Sequence, residues 1–497
     1  PTDAEALSLL SQVYLLDGRA AESETALANA SAINPKLPSV HRNNARLSLH
    51  QSKPAEALKN AELGYQSAPE DPESWLVLSA CLAASQRIDD ALVLAEKTIH
   101  RSPNYAEAYG TRALIRDHLS DIDGAIKDAE RALRLKPHIR NLWSLLGNLH
   151  FKNNDVKSAV KATSRAVENH PRDINQRIFL GQLLRQLGRC TEAAATLEQA
   201  TKIDPNSVAS WINLAAALQE GQIFSEARNA YKRALEIEPD SPVVLNNLGE
   251  LERASGNTTI AREYFEIVIQ RSPDFVAAHN NLGNALRDLG LLNEAEKSYR
   301  EAVRLKPGNA EAHVNLGNLL KDLGKFHDAE DNYRVAIQLK PSFDAAHRNL
   351  GMLLKACGKH TDSIKSFEAA IACNPGFAEA HNDLGNALSQ LGQPEKAIAS
   401  YRAAIRFDPD YEGAHSNLLL TLNYAQGIKP TTMLMEAERY GAMVSSKAED
   451  KFTSWTTESK TAPLRIGFVS GDIKNHPVGF MIEGLLRHIN KNQIEAI

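Results

Sequence analysis

The sequence predicts an all-α solenoid of about 12 stacked helix–turn–helix repeats of 34 residues, followed by the truncated start of an α/β domain. Three observations carry this. Prolines stand at positions 1, 35, 69, 103, 137, 171, 205, 239, 273, 307, 341, 375 and 409, every interval being 34 residues. Counted from each of these prolines, offset +22 reads Ala57, Ala91, Ala125, Ala159, Ala193, Ala227, Ala261, Ala295, Ala329 and Ala397, with Ser23 and Ser363 as the exceptions. Glycine recurs at offset +17, as Gly188, Gly256, Gly290, Gly324, Gly358 and Gly392. By length alone, 497 residues suggest roughly three globular domains, but a fixed period replaces that expectation with stacked units.

Each part of the period has a physical reason. Offset +10 is small in Gly147, Gly181, Ala215, Gly249, Gly283, Gly317, Gly351 and Gly385, which suits a first helix closely approached by its neighbour. At offset +17 that helix must end and the chain reverse, and glycine supplies the left-handed conformation. A second helix then carries the small residue at +22 and an aromatic at +26 (Tyr231, Tyr299, Tyr333, Phe367, Tyr401). The periodic proline closes it, having no N–H to continue the ladder. The stretch from Ala312, His313, Val314, Asn315, Leu316 and Gly317 through Ala329, Tyr333, Ala336 and Pro341 resembles the tetratricopeptide repeat (TPR). That resemblance covers residues 2 to about 425. It implies a superhelix with a concave inner surface, since one helix pair cannot bury its apolar side alone.

Composition excludes several functions. A formal charge of −5 argues against a protein built to neutralise nucleic-acid phosphates. No apolar run approaches the roughly 18 residues of a membrane span, and no signal peptide opens the chain. Cys81, Cys190, Cys357 and Cys373 show no C-x-x-C spacing and suit a reducing cytosol, so a cytoplasmic location is expected, nucleocytoplasmic in a eukaryote. His279, His313, His347, His381 and His415 share offset +6 with Trp75, Tyr109, Trp143 and Trp211. That reads as a bulky packing position. Ligands one repeat apart cannot converge on a metal, and no metal or other bound cofactor is expected. Arg and Lys mixed with acids along the helix faces read as solvated surface.

The candidate binding residues lie at offset +8: Asn213, Asn247, Asn281, Asn315, Asn349, Asp383 and Asn417. Earlier repeats carry Asn43, Val77, Thr111, Leu145 and Phe179 there, so the polar row belongs to the C-terminal half. An amide offers an acceptor and two donors, and a row of them suits an extended peptide gripped by its backbone. Glu220, Asp288 and Asp322 at offset +15 are available for side-chain contacts. The competing reading is that these asparagines cap or bridge helices within the stack. Lys or Arg beside them would mark a carboxylate clamp, and offset +15 carries acidic or neutral residues instead. Dimerisation through the repeats is compatible with such an array.

After Pro409 one more first helix is in register, and then the period stops. Residues 429–448 read as an amphipathic helix and 449–463 as a polar linker. Leu464 to Ser470 has the character of a buried parallel strand. A loop from Gly471 to Gly479 follows, then a helix over 480–488 and the beginning of a second strand at 494–497. This is the opening unit of a doubly wound α/β domain, whose ligands bind beyond the strands' carboxyl ends. The domain reading is therefore 1–425 repeats, 426–463 helical linker and 464–497 incomplete α/β lobe.

The asparagine-laddered array, the linker and the run L-R-I-G-F-V-S-x-D-x-x-N-H-P together resemble the O-GlcNAc transferase family and its SPINDLY-like relatives. The resemblance implies a GT-B protein O-glycosyltransferase that inverts at the sugar and needs no metal. In it the repeats feed protein substrates to a site where a Ser or Thr hydroxyl attacks a nucleotide sugar, UDP-GlcNAc being the expected donor. It matches Asn475, His476 and Pro477 to the active-site loop and places His476 near sugar and acceptor. The chain ends at Ile497, before the nucleotide-binding lobe, so inactivity of this stretch by itself is expected; Pro1, which would close a preceding repeat, suggests truncation there as well. The alternatives are a non-catalytic scaffold or adaptor for protein–protein interaction, and a SPINDLY-like O-fucosyltransferase.

Overall fold

The computed structural model describes residues 3–139, 141–447, 464–466 and 494–496. Among them are 26 α-helices and two three-residue strands. The chain divides into two compact units, Pro1–Leu339 and Lys340–Ile497. No helix among the described residues is long and apolar enough to cross a membrane.

The first unit holds ten helix pairs, from Ala4–Leu16 and Ala20–Ile33 to Ala310–Asp322 and Phe326–Leu339. Each pair turns at offset +17, and every described residue there has positive φ. Gly256 lies at 86°, and Ser52, Gln86, Ser120, Asn154 and Gln222 adopt 59–65° without being glycine. The reversal is thus set by the two-helix geometry, and the non-glycine residues accept a conformation costly for L-residues. Prolines off the 34-residue period have their own role. Pro38, Pro54, Pro72 and Pro242 each open a helix, where a missing N–H costs nothing.

Packing explains the small residues. All ten alanines at +22 are fully buried. At +10 the neighbour is the +26 side chain of the same repeat rather than helix backbone. A Cβ on Gly249 would sit 2.6 Å from the Phe265 ring, one on Gly283 2.6 Å from Tyr299, and one on Gly317 2.7 Å from Tyr333. The ring packs directly against the glycine, and in two of these repeats its hydroxyl is tied down as well: Tyr299 Oη donates to Asn284 Oδ1 (2.6 Å) and Tyr333 Oη to Asn318 Oδ1 (2.7 Å). Burial pushes the Tyr299 phenol up to about 12. Side chains from Ala159 to Leu251 form one continuous apolar cluster across successive repeats, as expected where each pair buries its face only against its neighbours.

In the second unit, the pairs Asp344–Ala356 with His360–Cys373 and Ala378–Gln390 with Pro394–Phe407 repeat this pattern. A Cβ on Gly385 would meet Tyr401 at 2.5 Å, and Tyr401 Oη donates to Asn386 Oδ1 (2.9 Å). Glu412–Leu422 follows, then Pro430–Lys447, the helix expected over 429–448. Strand β1 (Leu464–Ile466) pairs in parallel with β2 (Ile494–Ala496), Leu464 opposite Ile494 and Ile466 opposite Ala496. Parallel neighbours need a long crossover, and the chain from 467 to 493 is long enough to provide one. Asn475, His476 and Pro477 lie outside the described residues, as do the expected polar linker over 449–463 and the helix over 480–488.

Candidate functional site

The row at offset +8 sits on the seam between consecutive first helices. In the first unit, Asn315 Nδ2 donates to Asn280 Oδ1 of the preceding repeat (3.0 Å). Asn281 Nδ2 donates to Asn246 Oδ1 (3.1 Å) and to Glu250 Oε1 (2.6 Å). The stack-bridging reading therefore holds for the donor end of these amides. Their Oδ1 atoms receive no hydrogen bond among the described residues. Asn213 is more fully engaged: it donates to Ala209 O (2.8 Å) and accepts from Gln182 Nε2 (3.1 Å). Half-buried Asn247 makes no side-chain hydrogen bond among the described residues.

In the second unit, Asn417 Nδ2 bridges to Asn382 Oδ1 (3.0 Å), and Asn349 also has a partner. Asp383, which breaks the amide series, accepts from Arg348 Nε at 2.7 Å while buried. The direction is reversed here: a guanidinium at +7 stands where the accepting amide stands in other repeats and donates to the +8 carboxylate, because a buried carboxylate requires a charged partner.

A second bridge runs beside the first. Arg253 Nη1 donates to Asp288 Oδ2 (2.9 Å) and Arg287 Nη2 reaches Asp322 Oδ2 (2.8 Å), while Arg185 grips Glu220 through Nε (2.9 Å). The acids at +15 are thus already neutralised by arginines at +14 of the preceding repeat. These arginines are more than solvated surface. The signal was present as a spacing of 35, one more than the period, joining adjacent offsets of consecutive repeats.

Offset +6 is a packing position with a shared acceptor. His279, His313, His347, His381 and His415 each place Nε2 2.8–3.1 Å from the carbonyl of the periodic proline six residues earlier. Trp75, Trp143 and Trp211 donate Nε1 to the same carbonyl in their repeats at 2.7–2.9 Å, and Tyr109 and Arg177 do likewise. A carbonyl only accepts, so each of these histidines carries a proton on Nε2. These residue types share a donor that closes the loop between repeats, while Leu7 and Leu245 at the same offset are buried by packing alone. No cluster of metal-ligand side chains occurs among the described residues.

A cavity of about 750 Å³ in the first unit lies where the later repeats' row of amides is absent. Its lining includes Val77 and Thr111 at offset +8 and Arg46 and Ala80 at offset +11, all on first helices. In these repeats both offsets line an open concavity. Sequence reasoning centred on the asparagines passed over this end of the unit.

Residues 180–242, 246–310 and 314–376 match a family model described as "Tetratricopeptide repeat", and 378–411 match another of that description. Residues 118–200 match one described as "Anaphase-promoting complex, cyclosome, subunit 3". No curated protein matches the chain. Solved structures similar to it include yeast Tom70 (15% identity over 82% of this chain and 96% of that one, TM-score 0.45). The APC/C hetero-tetramer Cut9-Hcn1 is similar at 15% identity over 89% and 94%, with TM-score 0.41. MamA is 27% identical over 33% of this chain and 95% of its own, with TM-score 0.31.

Proposed function

The chain is a tetratricopeptide-repeat protein, and from that premise we propose that it binds peptide segments of partner proteins along its first helices. The observation that carries this is the offset +8 row, whose Asn281 and Asn315 carbonyls stay unpaired although their amino groups bridge the stack. An unpaired amide oxygen accepts from a peptide N–H whatever the neighbouring side chain, so one row serves many sequences. The test is fluorescence anisotropy with a panel of unrelated labelled peptides. Replacing Asn281 and Asn315 together by Ala removes two acceptors worth roughly 0.5–1.5 kcal/mol each, so an affinity loss of about tenfold is expected across the panel. Unaltered affinity with a lowered melting temperature would leave the row a purely structural bridge.

A second reading is favoured by the parallel strand pair after Pro430–Lys447. We infer that the repeats present protein substrates to an α/β sugar transferase whose N-terminal lobe begins at Leu464. The acceptor is a Ser or Thr hydroxyl and the donor a nucleotide sugar, UDP-GlcNAc ahead of a fucosyl donor. On this reading His476 is assigned to the reacting hydroxyl, where an imidazole takes a proton or donates a hydrogen bond. In the protein carrying the complete lobes, His476→Ala is expected to abolish transfer of radiolabelled sugar to a bound peptide while leaving peptide affinity intact. Full transfer by that variant would remove His476 from the reaction, and absence of any transfer by the parent would return the protein to a scaffold.

A further inference from the structure

We propose that the first unit contains a second recognition site of different chemistry. It is an apolar groove that takes a peptide segment bearing a branched aliphatic side chain with a carboxylate beside it. This rests on the peptide-binding reading above and names the partner chemistry for one stretch of the surface.

Three observations converge. The groove is the cavity of about 750 Å³, bounded by helices Ala4–Leu16, Pro38–His50, Pro72–Ala84 and Ala106–His118 and by the loops preceding Leu142–Lys152 and Ile174–Gln186. That is ample for a few residues of peptide. Its floor is aliphatic, with Leu15, Leu49, Leu76, Val77 and Ala80 facing Ile139. Val77 stands where later repeats carry asparagine, so the backbone-gripping amide is replaced by a surface that rewards a buried apolar side chain.

The charges around the floor are mutually satisfied. Arg46 and Arg42 both hold Glu73 (2.8 and 3.1 Å), and Lys136 holds Glu107 (2.7 Å). What is left uncommitted is two imidazoles. His138 and His170 line the groove and make no side-chain hydrogen bond among the described residues. The N–H of an imidazole donates to a carboxylate brought beside it. A basic peptide would find Glu73 and Glu107 already occupied.

The third observation is the rim. The first helix after Pro137 starts at Leu142, whereas the equivalent helices start at offset +3, as Ala106, Ile174 and Val208 do. Asn141 is held at φ 61° in the left-handed region without being glycine. This departure moves the helix start from one residue to three residues beyond Ile139, which lies with His138 at the groove edge. Backbone held in a sparsely populated region clusters at ligand sites.

The probes are three labelled nonapeptides with one polar scaffold and a central Leu-Asp, Ser-Asp or Leu-Lys pair, measured by anisotropy. The Leu-Asp peptide is expected to bind about tenfold tighter than either of the others. Ala80→Glu, at a half-buried groove position, is expected to abolish that preference without changing the circular dichroism. The double variant His138→Ala/His170→Ala is expected to bring the Leu-Asp to Leu-Lys ratio towards one with an unchanged melting temperature. The Asn281→Ala/Asn315→Ala variant is expected to keep the Leu-Asp preference. Equal binding of the three peptides, or a preference that survives Ala80→Glu, overturns the groove while leaving the amide row to be judged by its own variants. A preference lost in Ala80→Glu and kept in the asparagine variants upholds the groove even if the amide row proves purely structural.

Discussion

At the scale of single residues, the repeat is governed by how closely two side chains or a side chain and a glycine can approach. Gly317 has no Cβ because the Tyr333 ring occupies the place where one would lie, and Asn318 holds that ring by its hydroxyl. Neither partner has room to yield. Gly317→Ala is therefore expected to destabilise its repeat by about 1–3 kcal/mol, measured as a lowered midpoint in urea; an unchanged midpoint would mean that the ring shifts freely. Charge acts at the same scale. Glu252 is buried, accepts from Arg228 Nη2 (2.9 Å) and Asn257 Nδ2 (2.7 Å), and its carboxyl is held below the usual range chiefly by the Arg228 hydrogen bond. A carboxyl whose folded value is depressed stabilises above the unfolded value, about 4.3. That contribution is lost as pH falls through the folded value. Thermal melts from pH 7 down to 3 are expected to show a shallower acid decline in Glu252→Gln than in the parent.

At the scale of the helix pair, the reversal between helices requires a left-handed residue whatever the sequence offers. Glycine meets this at most repeats, but Gln86 and Gln222 adopt φ 65° and 61° at the same offset. Replacing both by glycine removes a conformational cost of about 1 kcal/mol each, partly offset by the entropy glycine adds to the unfolded chain. A higher melting temperature is expected for the double variant, and a lower one would show that the glutamine side chains make compensating contacts. The turn was legible in the sequence where glycine marks it, because only local backbone sterics are involved. It was less legible at Gln86 and Gln222, where the geometry of the pair imposes a conformation the residue itself does not favour. The same holds for offset +6. Its bulk was readable, but the shared acceptor was not, since Trp, His, Tyr and Arg have only a donor in common.

At the scale of the whole molecule, stability is a sum of repeat and neighbour terms, so damage remains local. Phe265 is fully buried against Gly249, and Phe265→Ala removes about 3–5 kcal/mol of packing. Hydrogen exchange is expected to lose protection around residues 239–290 while 38–135 in the same unit retain theirs; uniform loss would indicate a single cooperative unit. Of the candidate site, the sequence supplied the row of residues but not what each atom does. Asn281 and Asn315 looked alike, with peptide binding and stack bridging both open, yet their amino groups are spent on the neighbouring repeat and their carbonyls are not. The arginines at +14 and the groove around Val77 and Ile139 stayed hidden for a related reason, since their partners lie one repeat away or across a concavity.

What the sequence determined by itself is the period, the position of each turn and the places where only a small side chain fits. These follow from covalent geometry and steric exclusion within some thirty residues, and they recur often enough to be read directly. What only the tertiary structure decided is which polar atoms meet. Bridges join offset +7 of one repeat to +8 of the next and +14 to +15, a register that exists only once the helices are stacked. That stacking, rather than the identity of any asparagine, divides the amide into an end that holds the molecule together and an end left for a ligand.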